Sequence, residues 1–406
     1  MPAPSPARVP CLSPVAAANG APAERPVPRA GSGHARIAEA SVATWLGVLL
    51  LLLLTLNTVG GWVRLSGSGV AIPRWPVIHD GSLLPPTTKA GWQGLLGDWQ
   101  KHQAVLEARI EAGEIGPASR GRSPTDLDDF RRMFWTEYSH RLLAAITALV
   151  LAGCLTVTMR ERSLRRLIGV PLGLAAILVV TQAGIGAALI DQGTNTHWLF
   201  LHQGNAALIV AAVVWALMRL LPGENPGETS NSSQATVSPW LRVALPVALF
   251  TAWVQLLIGA LVAGSRFMPG APGGALWDFS RTFSWNLLDN SALHQVGHRV
   301  WATVLVAALL WAFLTARRAR GQRLHLGLQA AATFVAVQVL LGLATVIVGR
   351  NGSGVGTDVA LPLAHQLMGM CVFTSLCLAT CDVFQVGRTT EAQESAPNSL
   401  AMAGGQ

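Results

Sequence analysis

The chain has 406 residues, of which 51% are apolar and only 12% charged, with a formal net charge of +8. The charged share is about half that of a soluble domain, which excludes an ordinary soluble globular protein. The positive balance does not point to nucleic acid, because the basic residues collect at the ends of apolar runs instead of forming a patch.

Residues 1–38 are rich in Pro, Ala, Gly and Ser and hold no apolar core, so a disordered tail is expected there. No hydrophobic stretch of a secretory signal precedes the first long apolar run. Eight runs then reach the roughly 20 apolar residues that a bilayer-crossing helix needs. They fall at about 41–63, 136–159, 167–190, 199–221, 239–262, 293–315, 325–348 and 359–383. Lipid cannot satisfy an open backbone, so each run must be helical. Arg160, Arg162, Arg165 and Arg166, and again Arg317, Arg318, Arg320 and Arg323, mark short loops on the cytoplasmic side. With eight spans both termini are then cytoplasmic. The loop at 64–135 is outside, and its length weakens the charge rule there. A polar linker at 222–238 divides a half at 39–221 from a half at 239–384, and 385–406 is a polar cytoplasmic tail. The expected fold is an all-α integral membrane protein whose eight transmembrane helices form two repeated four-helix bundles.

The repeat shows in the residues. Gln182 and Gly186 in span three are answered by Gln338 and Gly342 in span seven, with the same spacing. Glycines there are read as small residues for close helix packing. Two histidines open apolar spans with a His-Arg pair, His140-Arg141 and His298-Arg299. Two more sit in His-Gln pairs, His202-Gln203 and His365-Gln366. About 160 residues separate the members of each match. All four begin even-numbered spans, near the outer boundary, so each half places two histidines at one depth on neighbouring helices.

Imidazole inside a bilayer is costly and by default functional. Zinc or copper sites usually add carboxylate or thiolate ligands in close sequence, and neither HExxH nor CxxC occurs. A planar macrocycle such as haem, held between two helices, needs only two axial ligands, which is what each half offers. His294, one turn before His298, is a candidate partner behind the ligand. His79 and His197 fall in outer loops, and His102 and His325 are expected to be solvated or interfacial.

The halves differ at one place. Glu137 stands one turn before His140, on the same helix face, where the second half has the neutral Gln295 before His298. A carboxylate there is not needed for bis-histidine ligation. It is suited to taking a proton or stabilising positive charge on a reacting carbon. The plain alternative is a salt bridge to Arg141 or another arginine. Arg64, Arg141 and Arg299 are candidate contacts for haem propionates, or else they snorkel to water. The stretch Gly60-Gly61-Trp62-Val63-Arg64-Leu65-Ser66-Gly67-Ser68-Gly69 reads as a loop that lets something large approach the backbone. None of the five cysteines lies in an expected outer loop.

Taken together, these motifs resemble the haem A synthases, and the likeness covers all eight spans. It rests on Gly60–Gly69, Glu137-Tyr138-Ser139-His140-Arg141, Leu201-His202-Gln203, Val296-Gly297-His298-Arg299 and Leu363-Ala364-His365-Gln366. The resemblance implies an oxidoreductase of a bacterial inner membrane that oxidises the C8 methyl of haem O to a formyl group, giving haem A for terminal oxidases. It implies that His140 and His202 flank the substrate haem, that His298 and His365 ligate the iron of a permanent haem b, and that Glu137 is catalytic. The implied partners are haem O synthase and a quinone or other electron acceptor, and a homo-oligomer is compatible. The absence of outer-loop cysteines places the chain with the cysteine-free type of proteobacteria and mitochondria. The rival readings are a non-catalytic dihaem membrane cytochrome in quinone electron transfer, and a haem or small-molecule transporter.

Overall fold

The computed structural model describes residues 31–76, 78, 81–115, 122–193, 196–221, 238–265, 291–317, 319, 321–350 and 357–394. The expected linker lies outside the described residues apart from Ser238, as do His79, residues 1–30 and residues 395–406. Nine elements occur among the described residues, all α-helices: α1 Gly31–Leu65, α2 Lys89–Glu111, α3 Leu127–Arg160, α4 Arg162–Asp191, α5 Thr196–Leu220, α6 Pro239–Ser265, α7 Ser291–Ala316, α8 Gln322–Arg350 and α9 Thr357–Glu394. Every one except α2 is long and apolar enough to cross a membrane, which makes eight spans. The chain is an all-α integral membrane protein. Large apolar side chains such as Leu51, Leu149, Val170, Val180 and Leu340 stand exposed on the bundle's outside. In lipid that exposure is the favourable state. Pro171, Pro246 and Pro362 lie inside helices. Spanning helices tolerate such prolines because neighbouring groups re-satisfy the freed carbonyls.

The boundaries differ from the expectation in three places. α1 begins at Gly31, within the stretch expected to be disordered, and α9 continues past 384 to Glu394. α3 starts at Leu127, nine residues before the apolar run it contains, so His140 lies well inside its helix and not near its start. Its first turns are held by capping, not by apolar pattern. Asp126 accepts a hydrogen bond from Asp129 N at 2.7 Å, and Asp129 is paired in turn with Arg122 at 2.8 Å and Arg132 at 3.2 Å. α2 was not expected. Its mean hydropathy is low, but Thr88 caps its first turn, and Trp92, Leu95 and Trp99 pack on Ile72, Ile78, Phe130 and Phe134. This aromatic cluster forms a small core outside the bundle, with Trp92 edge-on to Phe134 at 5.0 Å.

Helix contacts follow the same pairings in both halves: α1 with α3, α3 with α4, α4 with α5 and α1 with α5 are answered by α6 with α7, α7 with α8, α8 with α9 and α6 with α9. Across the middle, α1 meets α9 as α6 meets α5. Trp253 of α6 donates from its indole nitrogen to Gly204 O of α5 at 3.1 Å, fastening this junction. The main apolar core gathers at one end of the bundle. It takes the N-terminal parts of α1, α4, α6 and α8 (Leu46, Leu172, Leu245, Leu328) and the C-terminal parts of α3, α5, α7 and α9 (Leu151, Val213, Ala312, Leu376). That is the end with the arginine-bearing connection after Arg160. The opposite end is left to the histidines.

Candidate functional site

The end away from this core holds a cavity of about 1850 Å³, well above the roughly 300–1,000 Å³ of an ordinary small-molecule pocket. Its wall includes His140, His202, His298 and His365. The four histidines paired by sequence therefore share one space, two contributed by each half.

Each imidazole rests against a glycine of a neighbouring helix. A Cβ placed on Gly60, Gly186, Gly259 or Gly342 would lie 3.0, 3.5, 3.3 or 3.0 Å from Cε1 of His140, His202, His298 or His365 respectively. The Gly60–Arg64 stretch, expected to be a loop, is thus the last turns of α1, and its glycine is needed because a ring packs on it. The backbone leaves the helix only after Leu65, through Gly67 at φ 71°. The expected glycine role, helix on helix, misses this histidine seating at Gly186 and Gly342.

In the second half the rings are held. Gln338 O accepts from His365 Nδ1 at 3.0 Å, which leaves Nε2 carrying the lone pair, and the Gln338 amide nitrogen reaches Nε2 at 3.1 Å. The Gln255 amide nitrogen lies 3.1 Å from His298 Nδ1 and donates to His298 O at 3.1 Å. Gln255 was missed by sequence reasoning. The signal was present, since Gln255 and Gly259 repeat the spacing of Gln182–Gly186 and Gln338–Gly342. The ring centres of His298 and His365 are 6.0 Å apart. Two imidazoles bound to one metal from opposite sides, with bonds of about 2 Å and ring radii of about 1.2 Å, have centres about 6 Å apart. The residues present therefore fit a bis-histidine haem. No cluster of three or more His, Cys, Asp or Glu suited to another metal occurs among the described residues.

Glu137 is buried on the cavity wall beside His140. One carboxylate oxygen accepts from Arg141 Nη2 and the other from Ile72 N at 2.8 Å. Arg141 also donates to Ile72 O at 2.6 Å and lies over the Trp75 ring at 5.6 Å. The outer aromatic core, which contains Ile72, therefore fixes the acid and its arginine. The pairing with Arg141 is the one weighed against a chemical role. In the second half the equivalent acceptor is neutral, with Arg299 donating to Gln295 Oε1 at 3.2 Å. The fold thus holds this arginine without a carboxyl group, and that of Glu137 is an addition.

Arg64, Arg141 and Arg299 all line the cavity, together with Arg74, against the two carboxylate residues Glu137 and Asp191. This wall suits an anionic group. Arg141 Nη1 is buried without a hydrogen-bond partner, while Arg64 Nη2 donates to Gly264 O at 2.8 Å and so ties α1 to α6. Gln203 and Gln366, the residues after His202 and His365, meet at Asn57 in the middle. Asn57 donates to Gln203 Oε1 at 3.2 Å, and Gln366 donates to Asn57 Oδ1 at 3.1 Å. His102, expected to be solvated or interfacial, lines the cavity and lies 3.3 Å from Ile190 O. His294 is buried but is not among the cavity-lining residues, and His325 lies 2.9 Å from Ala319 O.

The profile of the cytochrome oxidase assembly protein family matches residues 43–377, which takes in all four histidines and runs from within the first span to within the last. Curated relatives agree over most of their lengths. The Heme A synthase of Paracoccus denitrificans is 29% identical over 368 residues, covering 84% of this chain and 87% of its own. One from Methylorubrum extorquens is 30% identical over 358 residues, covering 83% and 85%. That of Sinorhizobium medicae is 29% identical over 322 residues, covering 75% and 81%. With a histidine-lined cavity shared by two matching halves and a match this long, the chain belongs to the cytochrome oxidase assembly protein family, that of the haem A synthases.

Proposed function

We propose that this protein is the enzyme that makes haem A for terminal oxidases, an oxidoreductase that converts the C8 methyl of haem O into a formyl group. The observation that carries this reading is the asymmetry of one shared cavity. Both halves offer two histidines on glycine seats, but only the first adds a buried carboxylate beside its pair. His140 and His202 flank the haem O substrate, and His298 and His365 ligate haem b. A haem b held there supplies one-electron transfer between substrate and acceptor.

The chain's own residues do the rest. The glycine seats and the packed helices set the depth of the substrate ring, and Arg64, Arg141 and Arg299 face haem propionates. Conversion of methyl to formyl takes one oxygen atom from water and removes four electrons and four protons, so a proton acceptor beside the carbon and an electron acceptor beyond the protein are both required. Glu137 fills the first role, or offsets positive charge on the reacting carbon. Ile72 N and Arg141 keep its carboxylate in one orientation, so little reorganisation is needed. A quinone or other acceptor fills the second role, and haem O synthase delivers the substrate. The protein works in a bacterial inner membrane with both termini cytoplasmic, in keeping with its basic inner loops.

The test is a haem extract from a host that lacks its own enzyme, with and without this chain. The reading predicts haem A only with it, and haem O in place of haem A with Glu137→Gln. A dihaem cytochrome without this activity gives no haem A in either case.

A further inference from the structure

The two halves wall the cavity differently where it meets lipid. In the first half that wall lies between α3 and α4, with Ala145 and Ala148 on one side and Ala183 and Ala187 on the other. Ala145 shares a helix face with Leu142 and Leu149, and Ala183 with Val180, all of them exposed on the bundle's outside. These alanines therefore stand at the border between cavity and bilayer. The same positions in α7 and α8, counted from the histidine and from the seat glycine, hold Thr303, Val306, Val339 and Leu343, which also line the cavity. The side chain is larger in every case. Ala144 and Val179, by contrast, recur unchanged as Ala302 and Val335. Small residues in a spanning helix usually let another helix approach, but these four border a ligand space. It ends at His202, whose Nδ1 is buried with no hydrogen-bond partner and whose ring rests on Gly186, next to Ala187.

Depth along the bundle says what fills the slot. Ala145 and Ala148 follow His140 by five and eight residues, about 7 and 12 Å toward the main core. The arginines are on the other side: Arg64 stands one turn past Gly60, and Arg141 reaches back to Ile72 O. A haem held with its propionates at those arginines turns its opposite edge toward the slot. Haem O carries its long isoprenoid tail on that edge, where haem b has only a vinyl group. We propose that the alanine slot between α3 and α4 passes the tail of haem O from the cavity into the bilayer, and that Thr303, Val306, Val339 and Leu343 close the matching slot to it. The second pair then takes only a haem without a tail. This rests on the reading that the first pair binds haem O, and it names the residues by which the two sites choose different haems. In an apolar pocket a single methylene discriminates by about 10–200-fold, so side chains of these sizes suffice.

The experiment uses the full chain, made in a haem-starved host and purified in detergent. His298→Ala leaves only the first pair complete, and this protein is titrated with haem O and with protohaem, read by Soret absorbance. Adding Ala148→Val with Ala183→Val should weaken haem O binding by at least about tenfold. Protohaem binding should stay as it was, which also shows that the variant folds. In a His140→Ala background, Val306→Ala with Val339→Ala should strengthen haem O binding to the second pair by at least about tenfold. That arm decides the matter if the first variant does not accumulate. Haem O affinity unchanged by these substitutions, as for a slot that holds only a lipid chain, overturns the proposal, and so does an equal loss of both haems. Failure of the haem O reading shows differently: the His298→Ala protein then takes up no haem O before any slot residue is changed, and the proposal falls with it.

Discussion

Gly342→Ala is the most quantitative perturbation of the histidine seats. Its Cβ would stand 3.0 Å from His365 Cε1 and 3.4 Å from Nδ1. Carbon atoms prefer about 3.5–4.0 Å, so the ring must withdraw by about 0.5 Å. It is not free to do so, because Nδ1 is tied to Gln338 O at 3.0 Å. Overpacking of this kind costs about 1–3 kcal/mol. Ala gains back about 1 kcal/mol over Gly as a helix residue, so the fold itself loses little. The ligand site loses more, since a productive site must hold its groups to within about 0.5 Å. Gly184→Ala, in the matching stretch of α4, meets nothing within 4 Å and serves as the control. The assay is the haem-to-protein ratio and visible absorbance of each purified variant, beside its melting curve. Gly342→Ala should lose its low-spin absorbance while Gly184→Ala keeps it. Equal haem retention in the two would refute the seating argument.

The other seats grade the same effect: Gly60→Ala should match Gly342→Ala, Gly259→Ala should be milder at 3.3 Å and Gly186→Ala mildest at 3.5 Å, read by haem retention. Arg141→Lys loses the link from Glu137 to Ile72 O and the position over Trp75. A hydrogen bond to a charged group contributes about 1.5–3 kcal/mol, so haem A yield should fall at unchanged expression. Replacing His298 or His365 by Ala should remove the low-spin haem b absorbance while the protein stays in the membrane; an unchanged spectrum contradicts the ligand assignment. A reporter fused after Arg388 should behave as cytoplasmic, and a periplasmic signal would invert the topology.

The spans were legible because lipid leaves one solution to a long apolar run, and all eight appear as helices. The four histidines were legible because they repeat, and the cavity gathers them. α2 and the first turns of α3 were not, because they are set by caps, ion pairs and aromatic packing against a loop, none of which leaves an apolar period. Glu137 stood out by contrast with Gln295, but its clamp by Ile72 N joins residues far apart in sequence. Gln255 was within reach, at the spacing already noted in two other spans.

The division of labour between the halves is tested most directly by the haem content of one purified variant. His140→Ala with His202→Ala, made in a host that supplies both haem O and haem b, is extracted with acidified solvent and its haems are resolved. The account predicts about one haem b per chain, with neither haem O nor haem A. Retention of haem O or haem A together with loss of haem b would contradict it.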